Sequence, residues 1–146
     1  MFLLDTNVIS ELRRPDKADR NVVAWANALP AASIFISVIS ILEIELGARL
    51  IARKDGAQGA MLRAWIDNHV LARFEGRVLV IDTVVAQRCA RLHVPDRLAE
   101  RDAPIAATAL VHGLTVATRN IADFARSGVP LINPWEPEQT GEAGAR

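Results

Sequence analysis

Four carboxylates stand where folding does not call for them. Asp5 follows the short apolar run Phe2-Leu3-Leu4, Glu43 interrupts the apolar stretch Ile41-Leu42-Glu43-Ile44, and Asp102 opens the Ala-rich stretch Ala103-Pro104-Ile105-Ala106-Ala107-Thr108-Ala109. Asp123 lies in Asn120-Ile121-Ala122-Asp123-Phe124. Carboxylates brought together repel one another unless a cation or a proton joins them. Oxygen-only donors of this kind suit a hard dication such as Mg²⁺, with Mn²⁺ as a substitute. No side chain reads as a prepared nucleophile.

Each of these positions also has a structural explanation. Ser40-x-x-Glu43 has the spacing of a capping box, in which the glutamate folds back onto the serine amide and is poorly placed to hold a metal. Asp102 could be a plain N-cap with Ala103 and Pro104 in the first turn, and Asp123 a solvated helix residue. The hydroxyl of Thr6 could position a carboxylate or a phosphate, or cap a helix. His69, His93 and His112 have no Cys or His partner at zinc spacing. Trp25 and Trp65 fall in apolar patterns and read as packing. Arg13 and Arg14 beside the first carboxylate, and Arg119 near the last, could contact phosphates or form a solvated rim.

The elements that must position these groups alternate between short apolar strands and amphipathic helices. Strands are expected at residues 2–5, 33–38, 78–81, 114–118 and 129–132, the last an edge strand because of Pro130. Helices are expected from Thr6 or Asn7 toward Arg13, over 21–28, from a Ser40 cap to about Ile51, over 57–72, 84–92 and 103–112, and briefly over 120–124. The two helices around Lys54-Asp55-Gly56 would form an α-hairpin. Strand and helix in alternation predict an α/β fold, a three-layer α/β/α sandwich around a short, mainly parallel sheet. Ligands of such sheets sit beyond the C-terminal strand ends, where Asp5 and Asp123 would lie.

Composition narrows the partners. The chain has 146 residues, suiting one domain, with 51% hydrophobic and 23% charged residues and 17 basic against 17 acidic side chains. That balance gives no whole-protein attraction to nucleic acid and leaves only a local basic rim for phosphates. A single cysteine, Cys89, rules out an internal disulfide and a thiolate zinc cluster and fits a reducing compartment. Apolar runs too short or too polar to span a bilayer, and no leader pattern at the start, predict a cytoplasmic protein without a membrane. Residues 1–135 form the expected domain and the Gly- and Glu-rich residues 136–146 a frayed tail.

Four segments carry a resemblance: Leu4-Asp5-Thr6-Asn7; Ile41-Leu42-Glu43-Ile44 with Leu46-Gly47; Asp102-Ala103-Pro104-Ile105-Ala106-Ala107-Thr108-Ala109; and Val116-Ala117-Thr118-Arg119-Asn120-Ile121-Ala122-Asp123-Phe124. In this order, over residues 2–135, they resemble the PIN-domain ribonucleases, and Asn133-Pro134-Trp135 looks like the chain end of the VapC/FitB branch. The resemblance implies that Asp5, Glu43 and Asp102 correspond to the three central acids. Members place an acid or amide at the position of Asn120 and often another carboxylate at that of Asp123. Asp5 and Asp102 would hold a principal ion, Glu43 would orient or deprotonate the attacking water, and Asp123, with Asn120, would support a second ion or water.

The same resemblance implies an Mg²⁺-dependent endoribonuclease that acts as the toxin of a type II toxin-antitoxin pair. Its substrate would be RNA. Its partners would be a small antitoxin with a DNA-binding start and a tail that blocks the cleft, and a second copy of the chain in a homodimer. Val22, Trp25, Leu62, Trp65 and Val84 are the apolar residues expected to exceed what one small sheet can cover. The competing reading is a non-catalytic binding module of the same fold, its acidic cleft gripping a basic partner.

Overall fold

The computed structural model describes residues 1–137. Five strands, β1 (Phe2–Leu4), β2 (Ile34–Ser37), β3 (Val78–Leu79), β4 (Thr115–Ala117) and β5 (Leu131–Ile132), form one sheet in the order β3-β2-β1-β4-β5. All four pairings are parallel. Eight α-helices cover it: α1 (Thr6–Glu11), α2 (Arg20–Asn27), α3 (Val38–Lys54), α4 (Gly56–Trp65), α5 (Leu71–Arg73), α6 (Thr83–Leu92), α7 (Asp102–His112) and α8 (Ile121–Phe124).

Strand alternation builds two cores. Leu4, Ile34, Ile36 and Ala117 face one side, where they pack with Val8, Val22, Ile44, Ile66 and Phe74 from the helices between Thr6 and Phe74. Leu3 and Val116 face the other, against Ile105, Ala106 and Ala109 of α7 and Phe124 of α8. Successive strand residues point to opposite faces, so both faces must be covered, and the three layers expected from sequence result. The run Ala103, Ile105, Ala106, Ala107 and Ala109 is fully buried, and its small side chains let α7 lie close to the sheet.

Several boundaries differ from the expectation, each for a local reason. Ser40 is not a cap: α3 begins at Val38 and Ser37 accepts a hydrogen bond from the Ile39 amide at 3.0 Å. Asp5, not Thr6 or Asn7, caps α1. The helix expected over 57–72 is present as a continuous helical run from Gly56 to Arg73, with a π turn at Ile66–Val70 that brings both of those residues into the core. The α-hairpin is present, with Asp55 capping α4 through the Gln58 amide at 3.1 Å. At its crossing, a Cβ on Gly59 would stand 2.4 Å from Cβ of Ala52, so only glycine permits this approach.

Trp25 meets Phe2 edge-to-face at 5.2 Å, and both Trp25 and Trp65 pack against the first core. Val22 is buried and Leu62 partly buried, so of the surplus apolar residues expected from sequence only Val84 remains open. The uncovered stripe lies elsewhere, along Val38, Leu42, Leu46 and Leu50 of α3. No helix among the described residues is long and apolar enough to cross a membrane. Positions 138–146 of the expected tail lie outside the described residues.

Candidate functional site

The centre of the sheet reverses direction between β1 and its neighbours: the chain moves from β1 to β2 on one side and later to β4 on the other. A crevice opens at such a switch point, beyond the C-terminal strand ends. Asp5 is the first residue past β1, its amide still bonded to the Ala117 carbonyl of β4 at 2.9 Å. It is buried, with a fractional exposure of 7%. One oxygen, Oδ1, accepts the Thr6 amide at 2.8 Å and so starts α1. The other, Oδ2, accepts the Thr118 hydroxyl at 2.8 Å, with the Asn7 side-chain amide more distant at 3.4 Å. Thr118 also accepts the Asn120 amide at 3.0 Å, which ties the first carboxylate to the turn that carries Asn120.

Glu43 reaches the same place from α3. Thr6 Oγ1 lies 3.1 Å from Glu43 Oε1 and 2.9 Å from Ser40 Oγ. A hydroxyl carries one proton. With Thr6 donating that proton to the Glu43 carboxylate, the Ser40 hydroxyl is left to donate to Thr6, and a relay Ser40–Thr6–Glu43 holds the glutamate from a fully buried base. The capping-box geometry is therefore absent, and Glu43 is turned into the crevice. Its Oε2 is 3.9 Å from an Arg101 guanidinium nitrogen.

Asp102 is not the N-cap of α7 but its first helical residue, one position after Arg101, which holds the N-cap position. The plain N-cap reading fails for that reason. Burial raises its pKa to about 6, with the charges of Asp5, Asp123 and Glu43 adding to the effect. Asp5 is also raised by burial, against the opposing hydrogen bonds of Thr118 and the Thr6 amide, with the Asp123 charge raising it further. The four acids thus share one electric field although they come from four separate segments. The arrangement is graded: a cleft of about 540 Å³ is lined by Asp5, Thr6, Glu43, Asp102 and Asn120, whereas Asp123 is exposed on the short α8 and stands outside that lining.

The donor set consists of oxygens and is suited to a hard dication. No three His, Cys, Asp or Glu side chains among the described residues already converge as a closed ion cage. Mg²⁺ does not need one, since it keeps several waters and is held through one or two carboxylates. The cluster, with two of its members pushed toward protonation, fits a hydrated cation.

Sequence reasoning passed over Thr118 and Asn7 as partners of Asp5, Ser40 as the partner of the Thr6 hydroxyl, and Glu11 and Trp135 as cleft lining. The available signal was a small polar residue at a strand's C-terminal end, as in Thr118 after Val116-Ala117. Arg13 lines a different, largely apolar cavity with Leu12, Trp65 and Phe74, so it does not belong to this rim. Arg119 does line the cleft. His93 serves a loop, its Nδ1 accepting the Leu98 amide at 3.1 Å.

Comparison with known proteins places this geometry in context. The family described as PIN domain matches residues 2–128. The VapC ribonuclease Y4jK of Sinorhizobium fredii is 37% identical over 142 residues, which is 94% of this chain and 99% of that protein. Toxin FitB of Neisseria gonorrhoeae is 39% identical over 141 residues, covering 92% and 99% of the two. The crystal structure of FitAcB from the same organism superposes with a TM-score of 0.84 at 38% identity, over 92% of this chain and 99% of that one.

Proposed function

Because the chain belongs to the PIN-domain family, we propose that it is a metal-dependent endoribonuclease and the toxin of a type II toxin-antitoxin pair. The observation that supports this most directly is the convergence of Asp5, Glu43 and Asp102 on one cleft at the sheet's switch point, with Asp123 at its rim. The names ribonuclease and toxin carried by relatives of nearly equal length support the same reading.

Asp5 and Asp102 would hold the principal ion, with Glu43 beside it and Asp123 and Asn120 toward a second ion or water. Bound there, Mg²⁺ or Mn²⁺ would supply charge neutralisation at the phosphodiester and a more acidic water. The protein's own share is positioning. Thr118 and the Thr6 amide fix both oxygens of Asp5. Through Thr6, Glu43 is held in an orientation from which it can accept a proton from the attacking water. In-line attack breaks one P–O bond, and the leaving oxygen takes its proton from solvent.

Restraint of the enzyme by a small partner follows from the same charges. The Arg101–Glu43 pair shows within the chain that a guanidinium can approach the cleft. An arginine on an antitoxin tail would meet Asp5, Asp102 and Glu43 and compete with the cation. A second copy of the chain is proposed to cover the open α3 stripe. The domain is proposed to span residues 1–135 and to act in the cytoplasm.

The decisive experiment is cleavage of labelled RNA by purified wild type and Asp102→Asn across a titration of Mg²⁺ and Mn²⁺. The expected result is metal-dependent cleavage that falls at least a hundredfold in the variant. Metal-independent cleavage, or full activity in Asp102→Asn, overturns the assignment. An intact fold that binds a basic peptide and cuts no RNA supports the non-catalytic binding module instead.

A further inference from the structure

The acidic cleft does not end at its own rim. A second open groove of about 940 Å³ adjoins it, and Glu11, Arg119 and Trp135 line both. Beyond those shared residues the groove presents Lys17, Arg20 and Asn21. The Arg119 guanidinium lies over the Trp135 indole, 5.1 Å from its ring centroid. Trp135 is fixed from several directions: it packs against the first core, its amide donates to Asn133 Oδ1 at 3.0 Å, and its carbonyl accepts the Asn21 side-chain amide at 2.8 Å.

The groove's two acids are turned to the backbone. Glu11 accepts the Asp19 amide at 3.1 Å and Asp19 accepts the Asn21 amide at 2.8 Å. The ion pairs Arg63–Glu45, Arg63–Asp67, Arg101–Glu43 and Arg126–Asp96 draw on other cations than Lys17, Arg20 and Arg119. A polyanion leaving the cleft on this side would therefore meet three cations, one of them a guanidinium set over an anchored aromatic ring. Guanidinium planes and aromatic rings are the surfaces on which unpaired bases stack, and single strands are tracked by such cation-lined grooves.

We propose that the Arg119–Trp135 stack, together with Lys17 and Arg20, is the subsite that holds the nucleotide flanking the bond that is cut. This rests on the ribonuclease reading and adds to it a place where substrate preference is set. Arg119 contacts the strand, and Trp135 is a positioning residue that supports the guanidinium from beneath. An apolar peptide segment has a better-matched surface in the separate cavity beside Leu12, Trp65 and Phe74.

Steady-state cleavage of a single-stranded oligoribonucleotide with one known cut site tests this with wild type, Arg119→Gln, Arg119→Lys and the pair Lys17→Gln/Arg20→Gln. Arg119→Gln is expected to raise KM about tenfold, the size of a lost stacking contact, with kcat nearly unchanged. Arg119→Lys restores only part, because an ammonium has charge but no plane. The double variant should flatten the slope of log affinity against log salt by roughly 1.4, about 0.7 per phosphate contact on a single strand. Trimming the substrate from one end should raise the wild-type KM and erase the difference between wild type and Arg119→Gln.

Unchanged KM in Arg119→Gln, or an equal loss on trimmed and full substrates, overturns the subsite. So does a result in which Arg119→Gln weakens only an inhibitory partner and leaves RNA unaffected. If wild type cuts no RNA at all, the ribonuclease reading fails separately. Fluorescence anisotropy with the same oligonucleotide then decides the subsite, which is overturned if all variants bind alike.

Discussion

The Thr118 hydroxyl donates a 2.8 Å hydrogen bond to Oδ2 of Asp5, joining two residues 113 positions apart at the adjacent C-terminal ends of β4 and β1. Both side chains are buried. Thr118→Val keeps the shape and removes the hydroxyl, leaving Asp5 with its Thr6 amide bond and the distant Asn7. A buried polar group deprived of its partner costs about 1–3 kcal/mol. The expected outcome is a lower melting temperature with at least tenfold weaker Mn²⁺ binding by calorimetry, and Thr118→Ser should recover most of both. Equal metal affinity in Thr118→Val would show that the bond serves the fold alone.

Asp102 gives the apoprotein a pH signature. Its folded pKa, about 6, lies above the ordinary carboxylate value, chiefly through burial and then through Asp5, Asp123 and Glu43. The folded state therefore holds this proton more tightly than the unfolded chain, and stability must fall as pH rises from about 4 to about 6. Thermal melts in chelator across pH 4–8 should show this decline, and Asp102→Asn should reduce it, leaving the part that comes from Asp5, whose pKa burial also raises. With Mn²⁺ present the trend reverses, because the cation needs the ionised carboxylate and its affinity weakens below pH 6.

Ser37 and Ser40 should behave differently although they are three residues apart. Ser37 caps α3, so Ser37→Ala is expected to cost about 1 kcal/mol in chemical denaturation while leaving turnover nearly intact. Ser40 supports Glu43 through Thr6, so Ser40→Ala and especially Thr6→Val should lower kcat more than they lower stability. A kcat unaffected by Thr6→Val would remove the relay from the mechanism.

The open stripe on α3 leads to a test of assembly. Leu42 and Leu50 are 51% and 54% exposed, one turn either side of Leu46. Light scattering at low micromolar concentration should give twice the chain mass for wild type and the single mass for Leu42→Glu/Leu46→Glu, with the far-ultraviolet spectrum preserved. A wild-type monomer would remove the homodimer and leave the cleft untouched.

The sequence by itself determined the layered α/β plan, because strand and helix periodicities are local. Leu3 and Leu4 had to part to opposite faces, and Ala103 to Ala109 could only be a buried helix. It also marked Asp5, Glu43 and Asp102 as out of place, since burying a charge beside apolar neighbours is costly without a purpose. What it could not fix was the partner of each. Ser37 and Ser40 both have the chemistry of a cap, and only the packing of α3 against α1 decides that Ser40 turns inward to Thr6. Asp102 and Asp123 look equivalent as residues near helix starts, yet one lines the cleft and the other stays exposed at its rim. The bond from Thr118 to Asp5 depends on the β1–β4 register, in which Leu4 stands opposite Ala117. A contact across 113 residues exists only once that pairing is made, so no local pattern could have announced it.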